Sequence, residues 1–225
     1  MIKKVKKLKR VMVGKDFYMN PTINLECKKY GSDYGGWYIA TEFDKQKALI
    51  IFSFGLGEDI SFDLEMIKNF NCKVYGFDPT PKSIKYIESL NLDNSFILNE
   101  YALSDKNGTL TFNLPENENH VSGSLEEISS SKRIEVKCKK LLTICDELNI
   151  KHIDILKIDI EGSEYKVIQS MIQDNIFPKQ ILIEYHHFFD SITNKDTQDS
   201  VNLLLDNGYN LFHIDGYNYS FLRNE

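Results

Sequence analysis

An apolar, β-branched run that stops on two glycines constrains this chain most. Residues 48–54 read Ala-Leu-Ile-Ile-Phe-Ser-Phe, and Gly55 and Gly57 follow directly. Such a run reads as a strand buried on both faces, which needs helices packed on either side of its sheet. After it, Asp63, Leu64, Met66, Ile67 and Phe70 fall close to the period of a helix, and a second strand, residues 73–77, ends on Asp78. Strand, glycine turn, helix, strand and acid make half of a nucleotide-binding α/β unit. The glycines let the backbone approach a ligand, and an acid about 20 residues on is placed for the two hydroxyls of a ribose. The other reading of Asp78 is a cap for the helix that enters at Pro81. The third glycine of the dinucleotide fingerprint is missing, which counts against a nicotinamide-dependent dehydrogenase.

The same alternation continues. Helices are predicted over 82–90, 141–148 and 197–205, and strands over 95–98, 109–114, 134–139, 180–184, 209–214 and 219–223. A further strand ends near Asp159, and the helix behind it buries Val167, Ile168 and Met171. The pattern predicts a doubly wound, Rossmann-like α/β fold with a mostly parallel sheet and a C-terminal antiparallel hairpin around Asp215-Gly216. Two stretches stand outside it. Residues 30–38, with three glycines among four aromatics, read as a packed turn or a lid. Residues 115–133 form a long polar loop, a candidate acceptor-binding flap. The expected organisation is a basic segment and lid over 1–40 and a Rossmann-like domain over 41–225.

A chain of 225 residues suits one such core. Its formal net charge of -6 argues against nucleic acid as the partner. The charge is uneven, because residues 1–15 hold seven of the 27 basic residues and no acid, leaving 20 basic against 33 acidic residues. That start is too weakly apolar for a signal peptide or a membrane span. Cys27, Cys72, Cys138 and Cys145 have no metal-binding or redox spacing and read as reduced thiols, so a cytoplasmic location is expected. Whether two copies pair is left open.

Ligands of open α/β sheets bind beyond the carboxyl ends of the strands. Four strands here end in polar or flexible residues, at 55–57, 78, 159–161 and 184–186. Side chains alternate along a strand, so Lys157, Asp159 and Glu161 share one side, as do Glu184 and His186. Each has a plain alternative: an internal ion network for Lys157 and Asp159, a helix first turn for Glu161 and Glu164, and surface hydrogen bonding for the histidines.

At these residues the chain resembles the FkbM-type family of S-adenosylmethionine-dependent methyltransferases. The matching pieces are Gly-Phe-Asp-Pro at 76–79, Ala-Leu-Ser-Asp with Gly108 at 102–108, Leu-Lys-Ile-Asp-Ile-Glu-Gly-Ser-Glu at 156–164 and Ile-Glu-Tyr-His at 183–186, in the family's order. The resemblance implies that Gly55 and Gly57 meet the methionine and ribose, that Asp78, beside Pro79, takes the ribose hydroxyls, and that Ala102, Leu103 and Ser104 lie near the adenine. Asp159, Glu161, Glu184 and His186 would face the acceptor and the sulfonium methyl. Ser53 stands where the family commonly has Asp, which leaves Glu58, Asp59 or the turn carrying Tyr34 and Gly36 to meet the methionine amino group.

The implied activity is O-methylation. An alcohol needs a base within about 3 Å or a divalent cation to become a nucleophile at neutral pH. His186 is the candidate base, since imidazole titrates near the working pH, with Lys157, Asp159 and Glu161 beside it. Asp159 and Glu184 are candidate ligands for Mg²⁺ or Mn²⁺. The expected acceptor is a sugar hydroxyl in a nucleotide-activated sugar for a surface polysaccharide. Alternatives are methylation of nitrogen or carboxylate, or a non-catalytic protein that binds the cofactor.

Overall fold

The structure is a computed structural model that describes residues 9–12, 16–41, 48–114 and 132–224. Most of the basic start, and residues 115–131 of the expected flap, lie outside the described residues. Seven strands form the central sheet: β3 (Leu49–Phe54), β4 (Cys72–Phe77), β5 (Phe96–Asn99), β9 (Ile155–Ile158), β10 (Gln180–Glu184), β11 (Tyr209–Asp215) and β12 (Asn218–Arg223). Their order is β11-β12-β10-β9-β3-β4-β5, in which β12 runs antiparallel to both its neighbours and the pairs from β10 to β5 are parallel.

Alternation along these strands builds two cores. Ile51, Val74, Ile155 and Leu182 point to one face, where α1 (Ser61–Asn69) and α2 (Pro81–Ser89) contribute Met66 and Ile87. Phe52, Phe77, Leu156 and Ile183 point to the other, where α3 (Leu141–Leu148), α4 (Glu164–Gln173) and α5 (Asn194–Asp206) bring Ile144, Ile168 and Leu204. With every one of those side chains buried, the middle of the sheet needs both helical layers.

Register brings the strand tips level. Phe54 lies between Phe77 and Ile158 across the sheet. The ladder continues one step further, through Gly55 N to Phe77 O at 3.1 Å, Asp159 N to Phe54 O at 3.2 Å and Asp78 N to Asn99 O at 3.1 Å. Gly55, Asp78 and Asp159 therefore end at one height.

Two features depart from the sequence expectation. The glycine-rich turn is the loop of a hairpin, β1 (Cys27–Tyr30) with β2 (Trp37–Ala40). Its second strand is stitched to β10 by the buried Gln180 amide, which accepts from Ala40 N and donates to Ala40 O, both at 3.0 Å. The strands read at 109–114 and 134–139 leave the central sheet. With β6 (Ala102–Leu103), β7 (Gly108–Leu114) and β8 (Lys132–Lys139) form a separate sheet in which β7 and β8 are antiparallel. On β8, exposed Glu135 and Lys137 alternate with buried Val136 and Cys138, the mark of a strand with one wet face. Among the described residues no helix is long and apolar enough to cross a membrane.

Candidate active site

A cavity of about 600 Å³ opens over the carboxyl ends of β3, β4, β9 and β10. Its lining includes Gly55, Gly57, Glu58, Asp78, Pro79, Ala102 and Leu103 together with Lys157, Asp159, Glu161 and Glu184, so all four predicted strand tips share it. Gly55 and Gly57 have φ of 75° and 56°, values that side-chain-bearing residues avoid. A Cβ on Gly55 would overlap the Asp159 carbonyl oxygen, so only glycine lets β3 and β9 turn past each other here.

Asp78 shapes this turn. One carboxylate oxygen accepts from Leu56 N and Gly57 N, each at 3.0 Å, and the other from Thr80 N at 2.9 Å and Thr80 Oγ1 at 2.6 Å. The acid thus holds the glycine turn and the entry to α2 while it lines the cavity. Asp78→Ala would strand two of those N–H groups at about 1–3 kcal/mol each. We expect a lower urea midpoint for that variant and, in calorimetry, loss of cofactor binding.

The hairpin turn is clasped over the cavity. Asp59 accepts from Ser32 Oγ at 2.6 Å and from Ser61 N at 2.9 Å, and Ser32 Oγ in turn accepts from Gly35 N at 2.8 Å. Burial would raise the Asp59 pKa, but these bonds hold it below the usual range. A Cβ on Gly35 would lie 2.6 Å from the Asp59 carboxyl carbon, which is why the turn can close so near. Tyr34, at the tip, is 90% exposed and lines the cavity.

Beside the glycine turn, at the tips of β9 and β10, four carboxylates and two cations are packed together. Lys157 is buried and donates to Gly55 O at 2.7 Å and Phe54 O at 3.2 Å, with its ammonium 5.6 Å from the centre of the Trp37 ring. His186 Nε2 lies 3.2 Å from Glu161 and 3.7 Å from Asp159. Its Nδ1 lies 2.8 Å from Glu164, an ion pair out of line for a hydrogen bond. Glu164, fully buried at the start of α4, also accepts from Ile160 N and Gly162 N at 3.1 and 3.0 Å. Glu161 has φ of 52°, a left-handed conformation costing on the order of 1 kcal/mol that turns the chain between these acids.

Electrostatics separate the members of the cluster. Burial alone would lower the His186 pKa, but Glu161 and Glu164 overcome it and raise it to about 11. Burial and the neighbouring Glu184 push Asp159 up to about 7, against Lys157 and His186. Burial raises Glu184 as well.

Glu161 and Glu164 thus favour the protonated form of His186, which runs against the expected role as base, and its buried ring lies outside the cavity lining. Three other expected contacts also fall outside the lining. Ser53 is fully buried between β3 and α1, its hydroxyl near Asp63, whose own pKa burial raises to about 6. A carboxylate does stand by that position, brought by the helix rather than the strand. Gly36 serves the tightness of the turn, since a Cβ there would lie 2.7 Å from Tyr30 O. Ser104 is buried and points to Asp105 at 3.1 Å. Sequence reasoning missed the clasp of Ser32 on Asp59 and the buried Glu164, whose partners are set by tertiary contact. Asp159, Glu184 and His186 bring one potential metal-ligand atom each within 4.8 Å of one another.

The methyltransferase FkbM domain matches residues 33–211. The chain belongs to the FkbM methyltransferase family. The matched part is thus a methyltransferase domain, and its mostly parallel sheet with helices on both faces is the Rossmann-like α/β arrangement. Two curated relatives are similar in sequence, both called probable methyltransferase-like protein 24. The one from Homo sapiens is 27% identical over 145 residues, covering 63% of this chain and 34% of that protein. The one from Rattus norvegicus is 24% identical over 160 residues, covering 70% and 38%. The match therefore spans little more than a third of those proteins. Among solved structures, the Methanococcus jannaschii fibrillarin pre-rRNA processing protein superposes with a TM-score of 0.47 at 9% identity, over 81% of this chain and 70% of that one. Aeropyrum pernix fibrillarin, solved with S-adenosyl-L-methionine, gives 0.44 at 9% identity over 93% and 85%. Likeness at that level bears on no individual residue here.

Proposed function

We propose that this FkbM chain methylates a hydroxyl oxygen of a sugar, with Asp159 and Glu184 as the pair that accepts the hydroxyl proton. One observation carries the reading: a single cavity runs from the glycine turn and Asp78 to these two carboxylates. Its lining suits the cofactor, with positive-φ glycines at the turn, apolar Phe77 and Leu103 beside Ala102, and acids toward the end where a sulfonium would lie. Bound S-adenosylmethionine supplies an electrophilic methyl group whose C–S electron pair returns to sulfur as the group leaves.

The chain's own residues do the rest. Lys157 fixes the Gly55 carbonyl and so the turn that receives the cofactor. His186 and Glu164 hold Glu161 and Asp159 in place without taking part in proton transfer. Asp159, 28% exposed toward the cavity, has its pKa raised to about 7 and is a base that works near neutral pH. The acceptor oxygen gives its proton to this pair as it bonds to the methyl carbon. A reducing compartment such as the cytoplasm fits the four free thiols.

A second reading, that a divalent cation activates the hydroxyl, is favoured by the closeness of the Asp159, Glu184 and His186 ligand atoms. It requires His186 to give up its proton, and turnover unaffected by EDTA removes it. The main reading is tested by incubating the chain with S-adenosylmethionine and a sugar panel and following S-adenosylhomocysteine release. Transfer to oxygen supports it, and binding without transfer to any hydroxyl overturns it.

The acid pair also bears on stability. Glu184 has a folded pKa above its unfolded one, so the folded state loses stability as pH rises through that interval. Glu184→Gln is expected to raise Tm at pH 8 by about 2–4 °C, corresponding to about 1 kcal/mol for a chain of this size. The gain should shrink toward pH 5, because the raised pKa lets the native side chain take up a proton more readily in the fold than in the unfolded chain, and methyl transfer should fall. Calorimetric scans at both pH values check this.

A further inference from the structure

The row of side chains at the tips of β9 and β10 does not stop at Glu184. Ile158 pairs with Ile183 across β9 and β10, and Glu184 pairs with Asn218 across β10 and β12, so Asp159, Glu184 and Asn218 stand level on adjacent strands. Opposed residues share a face of the sheet, which puts the amide beside the carboxylates. Because β12 runs antiparallel to β10, its first residue lies at the edge where the parallel strands end. Asn218 lines the same cavity as Asp159 and Glu184.

Two observations distinguish this amide from an ordinary surface group. Tyr185 N donates to Tyr217 O at 3.0 Å and Arg223 N to Lys179 O at 2.9 Å, which fixes the alternation of pairs along the ladder. Glu184 and Asn218 are then a non-hydrogen-bonded pair, the kind whose Cα atoms are about 4.5 Å apart and whose side chains come closest. The second observation lies further down the same face. There Gln180 bonds both polar groups of Ala40, and Ser220 donates to Tyr38 O at 2.9 Å, so each polar side chain below the tip is spent on the backbone of β2. Glu184 and Asn218 come next in the row and face the cavity instead. Among the described residues no hydrogen bond or ion pair engages either side chain.

Resting on the O-methyltransferase reading, we propose that Asn218 is an acceptor-binding residue and that the acceptor presents a vicinal diol of a sugar ring. One hydroxyl lies between Asp159 and Glu184 and is methylated, while its neighbour lies between Glu184 and Asn218 and is held. The held hydroxyl donates to the Glu184 carboxylate and accepts from Asn218 Nδ2. In the transfer the first oxygen bonds to the methyl carbon as the C–S electron pair returns to sulfur, and its proton passes to Asp159. The held hydroxyl keeps its own. A site built to hydrogen-bond a substrate hydroxyl rejects the analogue that lacks it, because the site's polar group is left without that partner.

The test uses the full chain saturated with S-adenosylhomocysteine, in EDTA and again in Mg²⁺. It is titrated with the methyl α-pyranosides of glucose and mannose, with their 3-deoxy analogues, in which no two ring hydroxyls adjoin, and with catechol. At least one hexoside is expected to bind about ten-fold more tightly than its 3-deoxy analogue in either buffer. Asn218→Ala, and Asn218→Asp, which lacks only the N–H donors, should each bring that ratio close to one, with binding of S-adenosylhomocysteine as the control for folding. Catechol tells an aromatic diol from a sugar: catechol bound more tightly than both hexosides, with the same loss in Asn218→Ala, would keep the diol site and overturn the sugar. Equal binding of each hexoside and its analogue, no binding of any probe, a preference that survives in Asn218→Ala, or one that needs Mg²⁺ would overturn the proposal. Methyl transfer to isolated hydroxyls as fast as to diols sinks the inference alone, whereas a chain that transfers methyl to no hydroxyl sinks the O-methyltransferase reading beneath it.

Discussion

Asp159→Asn is expected to bind S-adenosylmethionine within a few-fold of the native affinity and to transfer its methyl group about 10²–10⁴ times more slowly, the usual contribution of a positioned base. The substitution preserves shape and removes only the ability to accept a proton. Because the Asp159 pKa is raised to about 7, the native rate should be low in acid and rise as pH passes through that value. It should then stay level, since His186, raised to about 11, remains charged across the working range. In Asp159→Asn the rise should disappear. Initial rates from pH 5 to 9, with the affinity measured by calorimetry at each end, check both statements. A rise that persists in the variant would place the base elsewhere. His186→Gln makes the complementary case: it removes a cation from among three carboxylates, so loosened geometry and altered affinity are expected rather than loss of the pH step.

Gly55→Ala is the other change with a large expected effect. A residue with a Cβ at φ of 75° costs on the order of 1–2 kcal/mol. Here the added carbon also overlaps the Asp159 carbonyl, a backbone atom that no side-chain rotation can move aside. The tips of β3 and β9 would have to part, which adds about 1–3 kcal/mol of overpacking. Both the cofactor end and the acid end of the cavity hang on those tips. A lower urea midpoint, together with loss of S-adenosylmethionine binding, is the expected outcome. Retained affinity would mean that the glycine turn is not where the cofactor binds.

The central sheet can be read in the sequence because its strands carry apolar runs buried on both faces: Leu49–Phe54 is apolar but for Ser53, and Ile181–Ile183 is apolar throughout, so only a doubly covered sheet accommodates them. The positions of the tips follow from the glycines and acids that end the strands. The hairpin Cys27–Tyr30 with Trp37–Ala40 is not legible in this way, because its short strands depend on a Gln180 amide 140 residues away. The departure of β7 and β8 from the main sheet is likewise decided by which faces find a cover. Within the site, residue type and strand alternation bring out Asp159, Glu161, Glu184 and Lys157. The protonation of His186 is hidden from them. An isolated imidazole titrates near neutrality, and only the approach of Glu161 and the buried Glu164 from the following turn favours its protonated form. Ser53 misleads for a related reason, since alternation turns its side chain under α1 rather than toward the ligand.

The whole account rests on one cavity in which adenosine and the acid pair face each other, and a crystal structure with S-adenosylhomocysteine tests that directly. The prediction is that the adenosine lies along the turn at Gly55 and Gly57 beside Asp78, with the sulfur directed at Asp159 and Glu184. Adenosine bound away from that turn, or sulfur directed away from those two carboxylates, would contradict it.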